Sequence, residues 1–555
     1  MKTTTHRRFN VASASAFSFK SQSGFGGLKT LLTQTSQTPH LRFLPRPSLS
    51  NISKISKGAA EKACWFRRSS WWLVLLLVSV LGVCRPSAAW AQFGFGGSFG
   101  GGIAPGVGGG GVGGFPGGVG GGVGGGIGNI GGGNFPAGIA IDANGVVQVL
   151  KKRASRALSQ KRLQALAQKH LPSDLNTPSP LRKVSLVRLE EACRQYAEQK
   201  VVAPLDIQFL AGLQRIDYVF VDLENKDLVI AGPAEGFAPD AFGRMVGVTS
   251  GRPPIRIDDL IVALRSVQKG EIGCSIDPVP ARLAALKRYL ARHSSATSVG
   301  AIRRRFQEMA RILGMQKVRI WGVPPDSHFA QVLVEADYRM KRISIGLERP
   351  RVRGLVSHLA LLRPGGNTLQ RWWFVPLYDA IYQTDDHLAF QIVGQRAQLL
   401  AEQELITPSG RRVPAPNQRK STQVFAKRFT EKFPELADKD PVFADLQNVI
   451  DLAVLAALFR DEGLPEKVGW SMDLFLNPEK AVVAKGRVPK AVPTTFNTKR
   501  SGRVIIGLLA GGVVIPTQQV ARKIPRKIDP GKRLNGVARS AFSAQHPQQH
   551  TWWWD

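Results

Sequence analysis

Apolar and polar positions along the chain change period several times, and each period predicts an element. In GIAIDANGVVQVL (138–150), Ile139 and Ile141 alternate with Ala140 and Asp142, and Asn144-Gly145 is a hairpin turn signal. A basic, helix-prone segment follows over 151–170, then the Pro/Ser-rich loop LPSDLNTPSP. Ser185 is placed to cap a helix that carries Leu186, Leu189, Cys193 and Tyr196 on one face. YVFVDLENKDLVIAG (218–232) predicts two strands around a Glu-Asn-Lys turn. Asp258 can cap the helix DLIVALRSVQ and Gly270 can end it; EIGCSID is a short strand. ARLAALKRYLARH and VGAIRRRFQEMARILG are amphipathic helices, the second with Ile302, Phe306, Met309 and Leu313 inward, and VRIWGV is another strand.

From about Arg371 the pattern turns aromatic. RWWFVPLYDAIYQTDDHLAFQIVG predicts a β-meander with a Thr-Asp-Asp turn. KSTQVFAKRFTEKF places Phe425, Phe429 and Phe433 on one helical stripe, a pattern that belongs to a core more often than to a cofactor site. PVFADLQNVIDLAVLAALF begins with Pro441 at its first position and is apolar enough to be a buried core helix. RVIIGLLAGGVVIP predicts a hairpin at Gly511-Gly512, too short and glycine-broken to span a bilayer. The fold class expected is α+β, a mixed helix and strand body with a β-rich second half. Its divisions are a leader and signal peptide (1–91), a flexible linker (92–137), a hairpin with a basic helical segment (138–183), an α/β-type region (184–370), a meander-plus-helix region (371–516) and a basic, disordered tail (517–555).

Composition changes this picture at the ends. Residues 94–133 hold 25 glycines in 40 positions, which predicts a disordered, flexible linker. Its G-x-G-x-x-G matches reflect composition, since no strand precedes them and no helix follows. Upstream, 71–83 is a run of 13 uncharged, mostly apolar residues behind Arg67 and Arg68. A membrane span needs about 20 residues, so the run fits a signal h-region, with Ala89-Trp90-Ala91 as the cleavage site and Gln92 as the mature N-terminus. Cys84 raises a lipoprotein alternative, against which Val83 stands where a small residue is wanted. The leader's 12 Lys/Arg against Glu61 also leave open an uncleaved signal anchor. After cleavage no transmembrane helix is expected, and the protein is exported: periplasmic, envelope-associated or extracellular. Cys193 and Cys274 then remain, as one disulfide or as two buried thiols.

The net charge of +35 is unevenly spread. Residues 146–188 hold 10 Lys/Arg against Asp174, and 480–555 hold 14 against Asp529 and Asp555, whereas 189–479 hold 38 bases and 35 acids. The excess lies on the flanks. It suits non-specific binding to anionic envelope polymers or lipid headgroups, or serves as a solubilising surface. No zinc-finger spacing or RNP-like aromatic pattern points to sequence-specific nucleic-acid binding. Oligomeric state has no signature in the sequence.

Five stretches, DLVIAGPAEGF, GEIGCSIDP, HFAQVLVEADYRMKRISIGLE, QRWWFVPLYDAIY and DPVFADLQNVIDLAVLAALF, together resemble a planctomycetal family of exported proteins of unknown function. The likeness runs over about residues 138–516, with HFAQVLVEADYRMKRI its most specific part, and the signal and glycine-rich lead-in fit the same group. It implies an envelope or extracellular location and carries no activity with it.

Candidate chemistry centres on SHFAQVLVEADYRMKRI (327–343). Ser327 or Asp326 can cap a helix whose buried face is Phe329, Val332, Leu333, Ala336, Met340 and Ile343. Glu335 with Arg339, and Asp337 with Lys341, have i,i+4 spacing, which reads as salt bridges on a solvated face. The functional reading makes His328 an acid/base partner of Glu335 or Asp337. His328 and Glu335 are two turns apart, about 10 Å along the axis, so a third element would have to join them. Cys274-Ser275-Ile276-Asp277 ends a strand and would need His358 or His387 as base for a nucleophile. Glu235, in a turn after a strand, could face a cleft. His546 and His550 share i,i+4 spacing beside Pro547, and no metal or cofactor is expected. No G-x-S-x-G, H-E-x-x-H, Walker or EF-hand pattern occurs. The expectation is a binding or structural protein, with a hydrolase of a cell-surface polymer, built on Glu235, His328, Glu335 and Asp337, as the alternative.

Overall fold

The structure, a computed structural model, describes residues 11–12, 139–141, 146–149, 156–199, 201–293, 298–363, 369–415, 419–501, 504–508, 513–515, 521–543 and 551–555. The signal segment, the glycine-rich linker, Asn144-Gly145, Gly511-Gly512, His546 and His550 lie outside them. The architecture is α+β.

The largest sheet has seven strands: β1 (Ser179–Ser185), β2 (Tyr218–Asp222), β3 (Asp227–Ala234), β4 (Ala380–Gln383), β5 (Ala389–Val393), β6 (Arg526–Ile528) and β7 (Trp553–Trp554). Their order is β6-β4-β5-β2-β3-β1-β7, antiparallel except for the β4–β6 pair. The β2–β3 hairpin forms as the sequence predicts, and its near-continuous apolar run has a physical reason. Val219, Val221, Leu228 and Ile230 face the main core, while Phe220 and Val229 pack on the other face against Leu534 and Ala541 of the helix Arg533–Ser543. Side chains alternate faces along a strand, so a sheet covered on both sides needs apolar residues at every position. Strands from both sides of residue 371 share this sheet.

Three helices form the centre: α1 (Ile257–Ser266), α2 (His328–Ser344) and α3 (Pro441–Glu462). Pro441 opens α3 and Gly463, at φ 61°, ends it. It is long and apolar enough to cross a membrane, yet its most apolar 18-residue window is 100% buried in the body, as a core helix requires. Phe374, Phe425, Phe429 and Phe433 cluster with Phe443 of this helix, neighbouring rings tilted or edge-on with centroids 5.7–6.3 Å apart. The helix Val299–Leu313 turns Ile302, Phe306, Met309 and Leu313 inward against Leu283, Leu286 and Leu290 of Pro280–Arg292, as expected.

Four local expectations are corrected. The aromatic region is not a meander: Leu369–Leu377 pairs with Arg396–Ile406, and the β4–β5 hairpin between them leaves for the large sheet. Strand Val504–Leu508 pairs with Asn497–Ser501, whereas Val513–Ile515 joins Ile272–Asp277 in a separate four-stranded sheet, so the two halves of the expected hairpin part company. Asp258 lies inside α1 rather than capping it, and its carboxylate accepts from the Ala484 N–H at 3.2 Å. The expected disordered tail contains β6, the helix Arg533–Ser543 and β7. Trp552 is buried, Trp553 stacks on Arg182 at 4.5 Å, and Arg182, with no exposure, donates to both Asp555 carboxylate oxygens at 2.8 Å. Three tryptophans supply the apolar area that a disordered tail lacks.

Candidate functional site

Ser327 caps α2 by accepting from the Ala330 N–H at 3.2 Å. Every α2 residue except Arg339 and Arg342 is buried. The two predicted i,i+4 pairs form, at 3.7 Å for Glu335–Arg339 and as a direct bond for Asp337–Lys341, but they lie inside the protein and not on a solvated face. A buried charge is tolerated only when paired and hydrogen-bonded, and each here has such partners.

The first cluster lies between α2 and α3. Arg244, from the turn between the short paired strands Phe237–Pro239 and Met245–Gly247, donates to Glu335 at 2.7 Å and also pairs with Asp445 of α3. Burial alone would lower the Arg244 pKa, but Glu335 and Asp445 outweigh it and raise it. Burial raises that of Asp445, opposed by Arg244 and His328. His328 Nδ1 lies 2.7 Å from Asp259 of α1. One turn along, Arg339 bonds Glu348 and Asp440, each at 2.6 Å. The third element needed to join His328 to Glu335 therefore exists, as Asp445 with Arg244, and it joins them within a closed charge lattice.

The second cluster lies on the α2 face toward the strand Ile272–Asp277. Burial pushes the Asp337 pKa up to about 6, against the pull of Lys341. Burial likewise lowers that of Lys341, opposed by Asp337. The Cys274 thiol is raised well above its usual value by burial and then by Asp337, so it is the reverse of an activated nucleophile. Cys193 and Cys274 are both free and buried. The proposed bases are held elsewhere. His358 sits edge-on to Trp372 at 5.4 Å with its pKa lowered by burial to about 4, and His387 lies 3.1 Å from Glu462.

Glu235 is a staple. It is 5% exposed and accepts from Gln214 Nε2 at 2.7 Å, the Ser250 N–H at 2.9 Å, the Thr249 N–H at 3.0 Å and the Ser250 hydroxyl. Gly247 makes room for it, since a Cβ there would come within 1.9 Å of Glu235 Oε1. Four donors saturate the carboxylate and fix the 247–252 loop to the sheet.

The structure thus brings His328 and Glu335 into one lattice, sets Asp337 in another, and keeps Glu235 in a third. Pockets of about 430, 760 and 520 Å³ are lined by none of the four. Among the described residues no group of three or more His, Cys, Asp or Glu could hold a metal ion. Sequence reasoning missed Arg244, Asp259, Asp440 and Asp445. The available signal was Asp445 and Asp451 within the largely apolar first part of α3; Asp451 accepts from the Tyr378 hydroxyl at 2.6 Å and lies 3.3 Å from Arg396.

No curated protein and no solved structure matches this chain. One family model does match, described as Protein of unknown function (DUF1598), over residues 274–358. That span begins at Cys274 and includes all of α2, whereas the lattice partners Arg244, Asp259, Asp440 and Asp445 lie outside it. Residues 274–358 are accordingly a domain of unknown function.

Proposed function

We propose that this protein is an exported component of the cell envelope or extracellular space that binds or builds rather than catalyses. The observation that carries this reading is the fate of Glu235, His328, Glu335 and Asp337. All four are buried and committed to internal partners, so the acid/base pool on which a cell-surface hydrolase would draw is used in holding the fold. The resemblance to planctomycetal exported proteins and the apolar run before Ala89-Trp90-Ala91 support the location.

The partner we propose is an anionic polymer or headgroup surface of the envelope. Over 521–543 the chain holds seven Lys/Arg against Asp529. Arg522, Lys523, Lys527, Lys532, Arg533 and Arg539 are all exposed, on or next to the strand Arg526–Ile528 and the helix Arg533–Ser543. Such a surface binds through long-range electrostatics that weaken with salt. The test is elution from immobilised heparin, with the protein recovered from its native host as a chain starting at Gln92. Changing Lys523, Lys527, Lys532 and Arg539 to glutamine should lower the eluting salt concentration while leaving the melt unchanged. Unchanged elution, or recovery from the cytoplasm, overturns the reading.

A further inference from the structure

We infer that the pocket of about 520 Å³ between the end of α1 and residues 476–485 binds a small amphiphile with one anionic oxyacid group, which Arg265 and Ser266 hold. The inference goes beyond the envelope reading and does not depend on it. The volume falls within the range of about 300–1,000 Å³ usual for small-ligand sites.

Arg265 is locked in place by three backbone carbonyls. Its Nε donates to Phe475 O at 2.6 Å, and its Nη2 donates to Asn477 O at 2.9 Å and Ala481 O at 2.7 Å. Those bonds occupy Nε and both hydrogens of Nη2, while among the described residues Nη1 has no protein acceptor and no carboxylate pairs with the guanidinium. Burial lowers its pKa to about 10 with nothing to offset it, so it remains a cation at neutral pH. Its neighbour Ser266 also lines the pocket, is fully buried, and has a hydroxyl without a hydrogen-bond partner. A role as a strut for 475–481 explains Nε and Nη2. It leaves unexplained a rigid cation and an unmatched hydroxyl side by side in one cavity wall, which are the donors that a carboxylate or phosphate oxygen requires.

The rest of the lining suits an apolar body. Val262, Leu264, Leu476, Val482 and Val483 form the walls, and Leu476 is 41% exposed at the rim. Lys269 and Lys485 add positive charge, and the only acid of the lining, Asp326, lies 3.8 Å from Lys485. A cationic ligand would meet Arg265, Lys269 and Lys485, and a neutral one would leave the donors unmatched.

Calorimetric titration of the full chain with decanoate, decyl phosphate, decanol and decyltrimethylammonium tests the assignment. One or both anions should bind saturably at one site, which also separates carboxylate from phosphate as the source, and decanol and the ammonium should bind about tenfold more weakly or not at all. Arg265→Gln could unfold the 475–481 segment, so the deciding variants are Ser266→Ala and Lys269→Glu, which leave the three carbonyl bonds intact. Each should weaken anion binding severalfold without altering the melt. Equal affinity for decanol, no binding of either anion, or unchanged affinity in both variants overturns the proposal.

Discussion

Replacing Arg244 by glutamine should be among the most damaging single changes in this protein, and its damage should depend on pH in a defined direction. The Arg244 side chain is 8% exposed and lies between Glu335, 1% exposed, and Asp445, 6% exposed. Removing the cation leaves Glu335 only its longer contact to Arg339 at 3.7 Å and takes from Asp445 its buried guanidinium, a loss of about 3–5 kcal/mol for a broken buried pair. A second estimate agrees. Neutralising one carboxyl of ordinary pKa near 4 at pH 7 costs about 4 kcal/mol, and the fold can always take that route. The route becomes cheaper by about 1.4 kcal/mol for each pH unit below 7, because the variant's native state then binds a proton that its unfolded state does not. Urea unfolding at pH 7 and pH 5 measures both quantities. Arg311→Gln, which breaks an exposed pair (77% and 35%) with Glu308, should leave the urea midpoint essentially unchanged at both pH values. Leu333→Ala, a truncation at 0% exposure, should cost about 2–5 kcal/mol at both pH values. An Arg244→Gln loss below about 1 kcal/mol, or one that fails to shrink at pH 5, would refute the lattice as a set of paired buried charges.

Two further outcomes are expected. Because burial raises Asp337 from 3.8 to about 6, the native state holds more protons than the unfolded chain in that interval, and the Asp337 contribution to stability is lost as pH rises through about 6. Asp337→Asn should flatten the slope of urea midpoint against pH between those values, and an unchanged slope counts against the assignment. Asp555→Ala strips the charged partner from Arg182, which keeps the Ala211, Thr177 and Asp174 carbonyls at 2.7, 3.0 and 3.4 Å, so stability should fall by about 1–3 kcal/mol. Protease sensitivity of the last helix should rise with it, and an unchanged melt and digestion pattern would show that β7 docks without that bond.

Local features were legible in the sequence because their causes are local. The β2–β3 hairpin, the cap at Ser327, Pro441 opening α3 and the inward stripe of Ile302, Phe306, Met309 and Leu313 each follow from spacing within one turn or one strand pair. The i,i+4 pairs of α2 were legible too, but their burial was not. A helix carrying Glu335, Asp337, Arg339 and Lys341 has the polarity of a surface helix, and Arg244, Asp440 and Asp445, far away in sequence, help make Glu335 and Arg339 tolerable in a core. None of the three announces itself by period. The meander failed for the same reason: alternation in residues 371–394 fixes that strands exist, not which edge they join.

The C-terminal segment shows how composition can mislead about order. Its excess of lysine and arginine argues for disorder if charge is averaged over the segment, since a like-charged chain repels itself. Averaging hides that the bases lie on one side of a two-sided pattern. Leu534 and Ala541 of the last helix pack on Phe220 and Val229, and Arg533 and Arg539 remain exposed. The same residues that extend the sheet core thereby present the cationic surface, and charge and fold are not separable by truncation. Cutting after Pro516 would remove β6, β7 and the helix that covers the outer face of β2 and β3, and would strand Arg182 without its carboxylate. A truncated chain that lost polyanion binding would therefore say nothing about charge, whereas glutamine at the exposed lysines and arginines removes the field and leaves the packing in place.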